Sequence, residues 1–145
     1  MFYLAGKPLL FSMTRPIKFR AKTVKREPYQ EKWVYGYFFK TPLTTENFEA
    51  DSFQSGKNRW CIADNQGAVY EIDIETLGQF TGLQDKTGKE IYEQDIYQII
   101  DAFDRPQIKV LDDLPEFYHE FIENECVYES IEVIGNVYEN ADLLQ

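Results

Sequence analysis

At 145 residues, with 43% hydrophobic and 16% aromatic residues, the chain is too apolar for a disordered segment; it is long enough to bury a core as one domain, or as two small parts sharing one. Two cysteines, Cys61 and Cys126, are too few for a disulfide framework, and no apolar run is long enough to cross a bilayer, so a cytoplasmic protein without a membrane partner is expected. The net charge of −10 is uneven: residues 1–40 hold nine Lys and Arg against two acids, residues 41–145 hold six against twenty-three, and no base follows Lys109.

Such asymmetry fits a basic arm for nucleic acid or an acidic surface for a basic partner. It also fits two halves that complement each other inside one fold, which is the preferred reading.

Residues 1–12 are mildly apolar and broken by Lys7 and Pro8. They lack the basic start and small-residue cleavage site of a signal peptide, and read as an extension or as a leader upstream of a start at Met13. Arg15 to Val24 alternates. Ile17, Phe19, Ala21 and Thr23 share one face, and Lys18, Arg20 and Lys22 form a basic outer face, the pattern of a half-buried strand. The aromatic run Trp33 to Lys40 predicts a second strand, with Gly36 marking a bulge or a close backbone approach.

Residues 41–57 are polar and read as a loop with one weak helical turn. Short strands are expected over 58–63 and 68–74, then an extended segment over 77–83. Asp64-Asn65-Gln66-Gly67 and Asp85-Lys86-Thr87-Gly88 repeat one turn chemistry: Asp accepts from its own downstream backbone and Gly supplies positive φ. Further strands are expected over 90–93 and 95–101. Leu114, Phe117, Tyr118, Phe121 and Ile122 form one helical stripe, predicting a helix over about 114–125 capped by Asp113 with Glu116 at the return position. Strands over 127–133 and 135–138, and a final turn tucking Leu143 and Leu144 against the core, close the chain.

Motifs for chemistry are sparse. A lone His119 and two distant Cys exclude a structural zinc site, and neither a Gly-x-Ser-x-Gly elbow nor a phosphate-binding glycine loop occurs. His119 with Glu123, or with Cys126, is at helical spacing, but a solvated surface His is the better reading. Asp73, Glu75, Glu90, Glu93 and Asp95 offer paired carboxylates that would suit Mg²⁺ in a small nuclease; acidic outer strand faces explain them as well. Ten acids and no base over residues 112–145 would also suit a DNA mimic. The basic strand with Phe19 and the Tyr-rich second strand would suit single-stranded nucleic acid.

Four stretches resemble one family. They are Met13-Thr14-Arg15-Pro16-Ile17-Lys18-Phe19-Arg20-Ala21; Trp33-Val34-Tyr35-Gly36-Tyr37; Gly78 to Leu83 with Asp85 to Ile96; and Val133 to Asn140 followed by Leu143-Leu144. Together they look like the YopX family of phage and prophage proteins from low-GC Gram-positive bacteria. The chain departs from the family at Gln94, where members often carry Gly, and at Lys22, where they often carry Trp. The resemblance implies an SH3-like barrel in the C-terminal half, and it carries over no assigned catalytic residues.

The resulting expectation is a mainly β protein with one amphipathic helix, an N-terminal β-rich part over 13–75 and an SH3-like barrel over 76–145. The expected function is a non-enzymatic module binding a host or phage protein, without cofactor or metal. A nucleic-acid module is the alternative, and a DNA mimic or nuclease comes third. The candidate binding residues are Lys18, Arg20, Lys22, Tyr92, Glu93 and Asp95.

Overall fold

The computed structural model describes residues 3–4, 7–8, 16–41, 59–123 and 129–145. Eleven strands occur among them. Two short ones, β1 (Tyr3–Leu4) and β2 (Lys7–Pro8), pair with each other at the start of the chain. Then come β3 (Phe19–Lys22), β4 (Trp33–Thr41), β5 (Arg59–Ala63), β6 (Val69–Glu71), β7 (Gly78–Gln84), β8 (Glu90–Tyr92), β9 (Asp95–Ile100) and β10 (Pro106–Val110). Helix α1 (Leu114–Glu123) and β11 (Glu132–Asn136) follow, and a 3-10 turn at Ala141–Leu144 ends the chain. The loop expected over residues 42–57, Met13 and Cys126 lie outside the described residues.

The other nine strands form two open antiparallel sheets. One has six strands in the order β6-β5-β4-β3-β7-β8, and the other has three in the order β10-β9-β11. Neither closes on itself, so the expected SH3-like barrel is absent. The reason is the partner that β7 takes. Strand β3 accepts β4 on one side and β7 on the other, through Phe19↔Gln79 and Arg20↔Gly78. This draws β7 and β8 into the large sheet and leaves only β9, β10 and β11 for the second, too few to close a barrel.

Two apolar clusters follow from this layout. Ala21, Val34, Ile62 and Ile72, flanked by Phe19, Phe38, Trp60, Tyr70 and Leu77, cover one face of the β3–β6 end. Leu83, Ile91, Tyr97, Ile99, Leu111, Phe117, Ile131 and Val133 join β7 and β8 to the small sheet and α1. Full burial of each aliphatic residue stabilises the fold by roughly 1.5–3 kcal/mol. Helix α1 starts where the pattern placed it: the Asp113 carboxylate accepts the Glu116 N–H at 2.9 Å, and Phe117 is buried. The Tyr118 hydroxyl donates to the Thr81 carbonyl at 2.5 Å and ties the helix to β7.

Local chemistry sets the turns. Asp64 Oδ1 accepts from Gln66 N and Ala68 N, and Asp85 Oδ1 accepts from Thr87 N and Lys89 N. A third copy lies between β9 and β10, where Asp101 Oδ1 accepts from Phe103 N and Arg105 N. The positive-φ position is Gly67 and Gly88 in the first two turns but Asp104, at φ 58°, in the third. Gly36 marks a close approach: a Cβ there would overlap the Ala63 carbonyl.

Three further expectations change. Among its described residues the terminal region holds one strand, beginning at Glu132, in place of two, and residues 127–128 of the first lie outside them; a register shift between Val133 and Gly135 is the bulge expected near Gly135-Asn136. Residues 137–139 are turn. The 3-10 turn at the end has no buried residue, and Leu144 is exposed.

Candidate functional site

Period-two geometry puts Lys18, Arg20 and Lys22 on one face of the six-stranded sheet, opposite the face packed on Ala21 and Ile62. Across the ladder, Arg20 sits beside Tyr35 and Lys22 beside Trp33. Tyr37 follows on the same face of β4. On the other side lie Phe80 and Tyr92, which are paired across β7 and β8. The sequence thus builds a face of alternating cations and rings.

That basic face is not open to solvent as the alternation suggested. Arg20 is 5% exposed, and its guanidinium donates to Asp95 Oδ1 at 2.6 Å and to the Glu93 carbonyl at 3.4 Å. It also lies between two rings, 4.9 Å from the Trp33 centroid and 4.8 Å from that of Tyr92. Lys18 pairs with Glu90 at 2.6 Å and lies over Phe80. Lys22 pairs with Glu139 at 3.2 Å and Glu31 at 3.9 Å. The acids come mainly from the C-terminal half, so the basic strand is paired by the acidic half of the chain.

All six candidate residues therefore meet in one cluster, but Arg20, Tyr92 and Asp95 are buried within it. Tyr92 stands at its centre, with Phe80 and Tyr35 rings 5.3 and 5.7 Å away. Its hydroxyl donates to Glu90 Oε2 at 2.7 Å; burial and that carboxylate hold its ionisation well above the ordinary value. Asp95 is 1% exposed and also accepts the Tyr92 N–H at 2.8 Å. Burial pushes its carboxyl up, against the downward pull of Arg20 and that N–H. Burial also opposes ionisation of Glu90, but Lys18 and the Tyr92 hydroxyl outweigh it and hold that carboxyl below its usual range.

The carboxylates considered for Mg²⁺ do not converge. Glu90 is bound to Lys18, Glu93 accepts the Gln79 N–H, Asp95 faces Arg20, and Asp73 caps the Ile74–Thr76 turn by accepting from Glu75 N. Phe19 packs on Phe38 on the opposite face and is not beside the cations. His119 is exposed, as expected for the polar side of α1.

Two rings remain open on this face, beside the part-exposed carboxylates Glu31, Glu90 and Glu139. Tyr35 is 46% exposed and Tyr37 66%. Nearby, Trp33 donates from Nε1 to Glu139 at 3.0 Å and packs on Tyr138, whose ring centroid is 6.0 Å away. The second strand was expected to offer stacking rings beside the basic strand; the structure leaves Tyr35 and Tyr37 exposed there, while Trp33 is engaged by Glu139 and Tyr138.

Fold and site together define a mainly β protein built on two open sheets, with an aromatic face whose cations are ion-paired and no assembled catalytic set among the described residues. The chain belongs to the YopX protein family, which matches residues 18–145 and comprises phage and prophage proteins of unknown function. No curated protein matches it.

Proposed function

We propose that the chain is a non-enzymatic protein-binding module of the bacterial cytoplasm, working through the Tyr35–Tyr37 face. One observation carries this reading: two tyrosines on one side of β4 stay exposed while the cations around them are held by the chain's own carboxylates. Tyrosine favours protein contacts because it brings a large apolar area and a polar tip at small entropic cost. Phosphate tracking would need free cations, and here Lys18, Arg20 and Lys22 would have to break ion pairs first.

The test is affinity capture from host lysate after nuclease treatment, with the full chain as bait. Wild type and Tyr29→Ser, a control at another exposed tyrosine, should retain the same discrete protein. The Tyr35→Ser/Tyr37→Ser pair should lose it. Complete loss of bound material on nuclease treatment, or retention that ignores the pair, would overturn the reading.

A further inference from the structure

The geometry points to an arginine side chain, carried on a basic segment of a partner protein, as the group that Tyr35 and Tyr37 seat. This rests on the protein-binding reading above and names the chemistry of the partner.

Charge is the first argument. On this face Lys18, Arg20 and Lys22, with Lys89 close enough to act on Asp95, stand against five carboxylates, Glu31, Glu90, Glu93, Asp95 and Glu139. Its balance is negative, as is that of the whole chain at −10. Tyr35 feels this directly: after burial, its hydroxyl is acted on by Arg20 in one direction and by Asp95, Glu90 and Glu139 in the other. A basic segment is attracted to such a face, and an anionic one is repelled.

The second argument is what the molecule does with its other rings. Trp33, Tyr92, Phe80, Tyr70, Trp60 and Phe103 each carry a Lys or Arg over the ring at 4.4–5.0 Å. Among the described residues, Tyr35 and Tyr37 carry none, as is also true of the exposed Tyr29 and Tyr138; Tyr35 differs from Tyr29 in having Asp95, Glu90 and Glu139 close enough to act on its hydroxyl. Tyr35 meets Tyr92 edge-on, and no ring among the described residues packs on Tyr37. A neighbouring model for the missing cation lies one strand away, where the Arg20 guanidinium is held between Trp33 and Tyr92 and neutralised by Asp95. Arginine suits the site better than lysine: its planar guanidinium stacks on a ring and leaves its N–H fork free for a carboxylate.

The experiment uses the full chain with labelled tyrosine rings and follows their NMR signals. The probes are a short peptide alternating arginine with glycine, the same peptide with lysine, and a single-stranded oligonucleotide. The arginine peptide should shift the Tyr35 and Tyr37 signals saturably and bind more tightly than the lysine peptide. Tyr37→Ser, at a residue with no ring partner to lose, should weaken it severalfold, and Tyr35→Ser/Tyr37→Ser by about tenfold. Tyr29→Ser should leave it unchanged.

Equal binding of both peptides, no saturable shift, or preferential binding of the oligonucleotide would overturn the inference. If the arginine peptide fails while capture of a protein still depends on Tyr35 and Tyr37, the inference falls and the protein-binding reading stands. Failure of both removes the face as a binding surface.

Discussion

Asp85→Asn is the sharpest probe of how the two sheets are joined. One Asp85 oxygen accepts from Thr87 N at 2.8 Å, the Thr87 hydroxyl at 2.6 Å and Lys89 N at 3.0 Å; the other accepts from Val133 N at 2.9 Å. The turn after β7 is thereby fixed to β11. Lys86 N–H donating to the Ile131 carbonyl adds a backbone link. An asparagine keeps the shape but offers only one acceptor. Whichever way its amide turns, an N–H meets a backbone N–H. Val133 is buried, so an orphaned donor there costs roughly 1–3 kcal/mol. Loss of the charge on the remaining bonds adds roughly 1–2 kcal/mol, giving an expected total of about 3 kcal/mol.

The pH dependence gives a second readout of the same change. Burial raises the Asp85 carboxyl, but the bonds from Thr87, Val133 and Lys89 outweigh it, and the folded carboxyl lies below its ordinary value. A depressed acid contributes stability above its unfolded pKa and loses it as the pH falls through the folded one. The gap between wild type and Asp85→Asn in urea unfolding should therefore be widest near pH 7 and narrow below about pH 4. A cost under about 0.5 kcal/mol at pH 7, or a gap that does not narrow in acid, would refute the reasoning.

Three further outcomes are expected. Arg20→Met leaves the Asp95 carboxylate buried without its cation and should cost about 3 kcal/mol or more at pH 7 in urea unfolding. That deficit should shrink in acid as the carboxyl takes up a proton, and a pH-independent loss would contradict the pairing. Gln94→Gly should raise stability by about 0.5–1 kcal/mol, because Gln94 holds φ 68°, where a side chain is strained. A fall in thermal midpoint would contradict that. Gly36→Ala should destabilise by about 3 kcal/mol, since the obstacle is backbone that cannot swing aside; a neutral result by calorimetry would mean that β4 and β5 separate there easily.

Much of the fold was legible where one face of an element is apolar. The alternation around Phe19 and Ala21, the aromatic run at Trp33, the stripe on α1 and the two Asp-x-x-Gly turns all fall where the pattern put them. Strand β10 was missed because Pro106, Gln107 and Ile108 lie exposed on an edge and carry no buried period. The turn before it was missed because Asp104 replaces the expected glycine.

The barrel failed on a question that periodicity does not address: which neighbour β7 chooses. Local pattern gives β7 a face, but only the free side of β3 decides the sheet it joins. The site was half legible for a similar reason. Alternation put Lys18, Arg20 and Lys22 on one face correctly, yet whether that face is solvated depends on Asp95, 75 residues away, folding back over Arg20. The charge imbalance between the halves was the only advance sign of it.

The measurement that tests the central claim most directly is a titration of the full chain with a labelled single-stranded oligonucleotide at low salt. If Lys18, Arg20 and Lys22 are held by Glu90, Asp95 and Glu139, no saturable binding appears even where electrostatic attraction is strongest. Tight binding that weakens as salt rises, and that disappears in Lys18→Gln/Lys22→Gln, would contradict the account and return the basic strand to the centre of the function.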